Sequence, residues 1–210
     1  KAKSLSGIMN KCVNAEYRFG MTGTLDGTAT NKLVLEGLFG PTKRVTMTRD
    51  LQEKGTLAKL DISILLLRYH NDVCHWMKGK TYQEEIDYIV TNEKRNKLIT
   101  NLAADQKGNS LVLFQFVEKH GKPLFDMIRD KVGERPVYYV SSFRNYSYTS
   151  KKNAIIVASL GTFSTGINIR NLHNIIFASP SKSQVKVLQS IGRALRMSDD
   201  GSVAKLYDIA

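Results

Sequence analysis

The feature that most constrains the fold is an alternation that fills the second half of the chain. Short strand-like runs at 111–116, 137–140, 154–158, 174–178 and 204–209 are separated by helical patterns at 118–132 and 183–197. Apolar runs of that length suit strands covered on both faces, and the helical patterns between them supply the crossovers that parallel strands require. The pattern therefore predicts an α/β fold: a parallel sheet with helices on both faces.

The first half is less regular. Leu5, Ile8, Met9, Cys12 and Val13 recur at a helical period behind Ser4, which is placed to cap them. A strand is expected at 17–21, then a tight turn through Gly23 and Gly27, then a helix over 31–38 stopped by Gly40 and Pro41. Periodicity is lost over 45–55, which reads as a linker and places a boundary between segments 1–48 and 49–210. A long strand follows at 57–69, and then a helical pattern over 82–104 with a break near Asn92.

Charge narrows the partner. The 210 residues carry 31 Lys and Arg against 19 Asp and Glu, a formal charge of +12, which favours a polyanion and above all nucleic acid. The excess is spread along the chain, as backbone binding without base readout requires. The longest apolar runs, 62–67 and 111–117, fall far short of a membrane span, so no membrane partner is expected. Without a signal-peptide pattern at its start, and with only Cys12 and Cys74, the chain reads as a cytoplasmic protein with reduced thiols.

The most specific motif is Gln189-Ser190-Ile191-Gly192-Arg193-Ala194-Leu195-Arg196. It sets two arginines three apart on a helix, hence on one face. Guanidinium groups stay charged at any working pH, and their planar forks match phosphate oxygens; a basic surface helix is the plainer alternative. Upstream, the strand at 154–158 opens into a stretch rich in Gly, Ser and Thr over 161–166. Read as a loop, it offers backbone N–H groups to phosphate, or else it is simply a tight turn.

Together these residues resemble motifs V and VI of the superfamily-two helicases: Gly161 to Ile169, then Gln189 to Arg196. Met21-Thr22-Gly23-Thr24-Leu25 is similar to motif III of that family, and the strand at 111–116 to motif IV. The resemblance extends through 78–85, His120-Gly121-Lys122 and Val137-Tyr138-Tyr139-Val140 to recombination helicases of the superfamily. It implies a complete second RecA-like lobe over 49–210, preceded by the end of a first lobe over 1–48, with ATP between lobes and DNA across both. By the motif match Arg193, Arg196 and Gln189 are the catalytic set, and Gly166, Asn168 and Gly192 lie on the nucleotide side. Thr162 and Thr165 face nucleic acid or relay between sites, while Thr22, Gly23 and Thr24 couple hydrolysis to lobe movement. The implied substrates are branched DNA, single strands and RNA–DNA hybrids in recombination, repair and replication, within the host cytoplasm if the gene is a phage's.

Two departures qualify this. No G-x-x-x-x-G-K-[ST] occurs, because Gly79-Lys80-Thr81 has Cys74 at the first glycine position, and no Asp-Glu dipeptide is present. Motifs I and II, and with them most of the hold on ATP and Mg²⁺, are therefore expected on an N-terminal lobe outside these residues, leaving the isolated chain inactive. The segment between Val140 and Ala154 is also too short for the loop and helix the family has there. Its aromatics and basic residues read as strand side chains and a polar loop, with base stacking as the alternative. His70, His75, His120 and His173 lack ligand spacing, and Trp76 with Tyr82 reads as core or interface. Two rival functions remain: a non-catalytic nucleic-acid-binding or annealing module, and the motor of a double-stranded-DNA translocase.

Overall fold

The computed structural model describes residues 3–22, 29–141, 152–166, 169, 171–180, 201 and 203–210. The chain divides into two compact units, Lys1–Leu51 and Gln52–Ala210.

The first unit is helical among its described residues: α1 (Lys3–Met9), α2 (Ala29–Phe39) and the start of α3 (Thr48–Glu53). The strand expected at 17–21 is not formed. No described strand pairs with it, and Tyr17, Phe19 and Met21 stand exposed. The stretch taken as a linker instead holds α3, whose first turn is fastened by the Met47 N–H donating to the Asp50 carboxylate at 3.1 Å.

The second unit is a six-stranded sheet, parallel throughout. Its strands are β1 (Leu60–Leu65), β2 (Asn109–Phe114), β3 (Val137–Val140), β4 (Ile155–Ser159), β5 (Leu172–Phe177) and β6 (Ala204–Ile209), in the order β1-β6-β5-β2-β4-β3. Every residue of β2 is buried, as the centre of a doubly covered sheet demands. Side-chain alternation sorts the core onto two faces. Leu111, Leu113, Ile156, Ala158, Ile175 and Phe177 pack with Leu160 and Phe163 on one. Val112, Phe114, Ile155, Val157 and Ile176 pack on the other against Ile99 and Ala103 of α6 (Glu93–Asp105) and Leu124 and Ile128 of α7 (Lys122–Val132). Each such fully buried side chain contributes roughly 1.5–3 kcal/mol, so these two layers hold the sheet.

Several boundaries move. β1 is about half the expected length, and its pairing with β6 continues beyond Leu65 through the Leu67 N–H, which donates to the Ala210 carbonyl at 2.7 Å. The chain then forms α4 (Asn71–Met77), a helix too short to leave a periodic signature. The pattern over 82–104 is two helices, α5 (Tyr82–Thr91) and α6, divided at Asn92, whose side chain accepts the Arg95 N–H. Thr81 opens α5 with a capping box closed by Glu84, so Gly79-Lys80-Thr81 is a helix start. Before α7 the backbone makes a π-helical turn, Val117–Gly121, in which the Gly121 N–H reaches the Phe116 carbonyl at 2.8 Å. A Cβ on Gly121 would lie 2.5 Å from the Phe114 ring, which itself stacks on Tyr139 at 5.5 Å.

The amino edge of the sheet is stitched by polar side chains. Arg135 donates to the carbonyls of Ala104, Gln106, Gly108 and Asn153 at 2.6–3.1 Å, tying the end of α6 to the entries of β2 and β4. Asn109 accepts the Ala154 N–H at 2.9 Å, and Asn174 donates to the Lys107 carbonyl at 2.8 Å.

Candidate functional site

In a parallel sheet every strand ends on the same edge, and ligands bind at that edge where successive connections part to opposite sides. Here β2 leads toward β3 on one side, while β4 returns to β5 on the other, so the parting lies at the carboxyl ends of β2, β4 and β5.

At the end of β4 the 161–166 stretch is a helix, α8 (Leu160–Gly166), not the loop expected from its glycines and hydroxyls. Ser159 is the reason. Its Oγ accepts the Thr162 N–H at 3.1 Å, an N-cap bond, and donates to Thr162 Oγ1 at 2.7 Å. Thr162 Oγ1 in turn donates to the Ser141 carbonyl at 2.9 Å, joining the start of α8 to the end of β3, and Phe163 is sealed in the core. A first-turn N–H that a loop would have presented to phosphate is thus used internally.

A second network closes the ends of β2 and β5. Asn96 donates its side-chain N–H to the Val90 carbonyl at 2.9 Å, which turns its oxygen to His120 Nε2 at 3.1 Å and places the ring proton there. Nδ1 then accepts from the Ser179 hydroxyl at 2.9 Å, and Ser179 Oγ accepts the Gln115 N–H at 3.0 Å. Beside it the buried Arg95 donates to the carbonyls of Ala178 (2.6 Å) and Ile209 (3.0 Å), bridging the ends of β5 and β6. Burial, and then the Arg95 charge, hold the imidazole of His120 down to about 4, so it is neutral at physiological pH. Burial also lowers Arg95, against the opposing pull of Tyr69 and Asp208, yet a guanidinium remains charged. Lys119 lowers Asp87 through a 2.7 Å ion pair that fastens the π turn to α5.

Of the residues singled out by sequence, Thr22 lies exposed in the first unit and Thr162 lies in the α8 cap. Thr165 and Gly166 form the last turn of α8. Gly23, Thr24, Asn168, Gln189, Gly192, Arg193 and Arg196 lie outside the described residues, as do Phe143, Tyr146 and Tyr148, the aromatics of 141–153. Arg95, Asn96, His120 and Ser179 were not singled out as a set, because the partners of His120 stand 24 and 59 positions away. Among the described residues no group of three His, Cys, Asp or Glu could hold a metal ion, and no helix is long and apolar enough to cross a membrane.

No family model matches the sequence. The chain is 39% identical, over 99% of its own length, to the ATP-dependent DNA helicase UvsW of Enterobacteria phage T4, and spans 43% of that relative. The crystal structure of T4 UvsW superposes with a TM-score of 0.59 and 35% identity, over 82% of this chain and 35% of that one. A fragment assigned to the HsdR subunit of a type I restriction enzyme of Vibrio vulnificus shares the fold at TM-score 0.65 and 16% identity, over 90% of this chain and 39% of the other. Dbp5 of S. cerevisiae, solved with RNA and ADP–BeF3, does so at TM-score 0.54 and 10% identity, over 90% of this chain and 44% of that one. The six-stranded unit therefore has a RecA-like fold, a parallel sheet covered by helices, as in these structures.

Proposed function

We propose that this chain, homologous to the C-terminal portion of a UvsW-type superfamily-two helicase, supplies the second RecA-like lobe of an ATP-dependent DNA helicase. The observation that carries the reading is 39% identity sustained over 99% of the chain, on a parallel sheet from whose carboxyl edge α8 starts. In this reading segment 1–48 ends the first lobe and 49–210 is the second. Mg²⁺ and most of the grip on ATP belong to motifs I and II, outside these residues.

The chain's own part is electrostatic. Arg193 and Arg196 present guanidinium forks to the nucleotide phosphates, and Gln189 joins the same interface, while Gly166, Asn168 and Gly192 let the backbone approach. ATP supplies the phosphoryl group, whose transfer to water places negative charge where those forks lie. Thr22, Gly23 and Thr24 pass the change to lobe movement, and Thr162 and Thr165 connect the nucleotide side to the DNA side. The diffuse +12 charge suits a motor that holds DNA by its backbone. Substrates of this reading are branched DNA, single strands and RNA–DNA hybrids met in recombination, repair and replication, in the cytoplasm of a phage host.

In the intact protein, Arg196→Ala is expected to lower DNA-stimulated ATP hydrolysis by about 10²–10³ with DNA binding retained. Unchanged hydrolysis would remove Arg196 from the site. Strand-displacement assays then separate a helicase from a translocase, since both hydrolyse ATP.

A further inference from the structure

The chain has one tryptophan, Trp76, and it is not in the core. It stands on α4, directly after β1 on the carboxyl edge, with 58% of its surface exposed. Tyr82, read with it as core or interface, is also exposed. Trp76 is braced from within the fold: its ring meets Tyr88 edge-on at 5.9 Å, and Tyr88 meets Tyr69 at 6.0 Å. The Lys80 ammonium lies 5.3 Å from the centre of the indole.

The surroundings are basic and polar. Between 66 and 80 the chain carries Arg68, Lys78 and Lys80, all exposed, against the single acid Asp72, which pairs with His70. Of the acids downstream, Glu84 pairs with Lys80 and Thr81 and Asp87 with Lys119, while Glu85 is exposed. On α4 the indole has Asn71, Asp72 and His75 as its polar company, while the exposed apolar residues Ile62, Ile64 and Leu66 belong to β1 and the residue after it. One rigid aromatic ring within a basic rim is the composition that stacks a nucleobase while cations hold the flanking phosphates.

We infer that Trp76 is a stacking platform for a base of single-stranded DNA, with Lys80 moving from the ring to a neighbouring phosphate as the base arrives. This deepens the proposed function by naming a base-contacting residue on the same sheet edge as α8, where a purely backbone-binding motor has none. It rests on that reading for the identity of the polyanion.

Because Trp76 is the sole tryptophan, its emission reports the contact directly. The 210-residue chain is titrated at low salt with fluorescein-labelled oligothymidylate, following dye anisotropy for binding; its emission is followed with unlabelled oligothymidylate. The expected result is binding with quenching of the indole, a loss of about tenfold or more in affinity for Trp76→Ala, and most affinity kept by Trp76→Phe. Urea unfolding of each variant checks that the fold is kept. Binding with unchanged emission, and with Trp76→Ala equal to the parent, would overturn the inference while leaving the helicase reading intact. No binding would also overturn it, the helicase reading being tested separately by ATP hydrolysis in the intact protein. Quenching by the N-terminal portion of the parent protein, with none by oligothymidylate, would assign the ring to a protein interface instead.

Discussion

His120 shows how one buried ring makes the lobe sensitive to acid. Its neutral form satisfies both partners, with Nδ1 accepting from Ser179, and a second ring proton would meet the Arg95 charge. In the unfolded chain it titrates near the ordinary 6.5, and in the fold near 4. Between those values the folded state binds fewer protons, so stability present above pH 6.5 is lost as pH falls toward 4. The whole interval corresponds to about 3 kcal/mol. The parent should thus lose urea resistance steeply from pH 7 to 4.5, whereas His120→Gln should start lower and change less with pH. Parallel pH profiles for the two proteins would show that His120 is not the group responsible.

At the scale of elements, α8 owes its existence to Ser159, so Ser159→Ala removes the N-cap and the hydroxyl that Thr162 accepts from. The expected loss is about 1–2 kcal/mol in equilibrium urea unfolding. This helix also marks where sequence reasoning stopped. Gly161, Ser164, Thr165 and Gly166 are poor helix formers, and local propensity argued for a loop; the cap and the burial of Leu160 and Phe163 outweigh it. The five strands of the alternating half were legible to within two residues, because β2 and β4 must be apolar on both faces wherever they lie in the sheet. β1 is shorter than expected because apolar residues 66 and 67 continue its pattern past the last residue of the strand. α4 was missed because seven residues give no period to read.

At the scale of the molecule, the two sheet edges divide the work. Arg135, Asn109 and Asn174 lock the amino edge, and Arg95 with the His120 network closes the carboxyl edge at the ends of β2, β5 and β6. The stretches 161–169 and 189–196 stand out in the sequence as contiguous strings, and the roles proposed for them come from the family resemblance. The Arg95 contacts do not stand out, since they join residues 83 and 114 positions apart, a pairing only the sheet order creates. We propose that this lobe completes an ATP-driven motor together with an N-terminal portion of its parent protein. The most direct measurement is DNA-stimulated ATP hydrolysis by the chain alone, and by the chain mixed with a separately expressed N-terminal portion of its parent protein. The account predicts hydrolysis only in the mixture, abolished by Arg193→Ala. A mixture of two folded parts that binds DNA and hydrolyses no ATP would contradict it, and would favour a non-catalytic binding module.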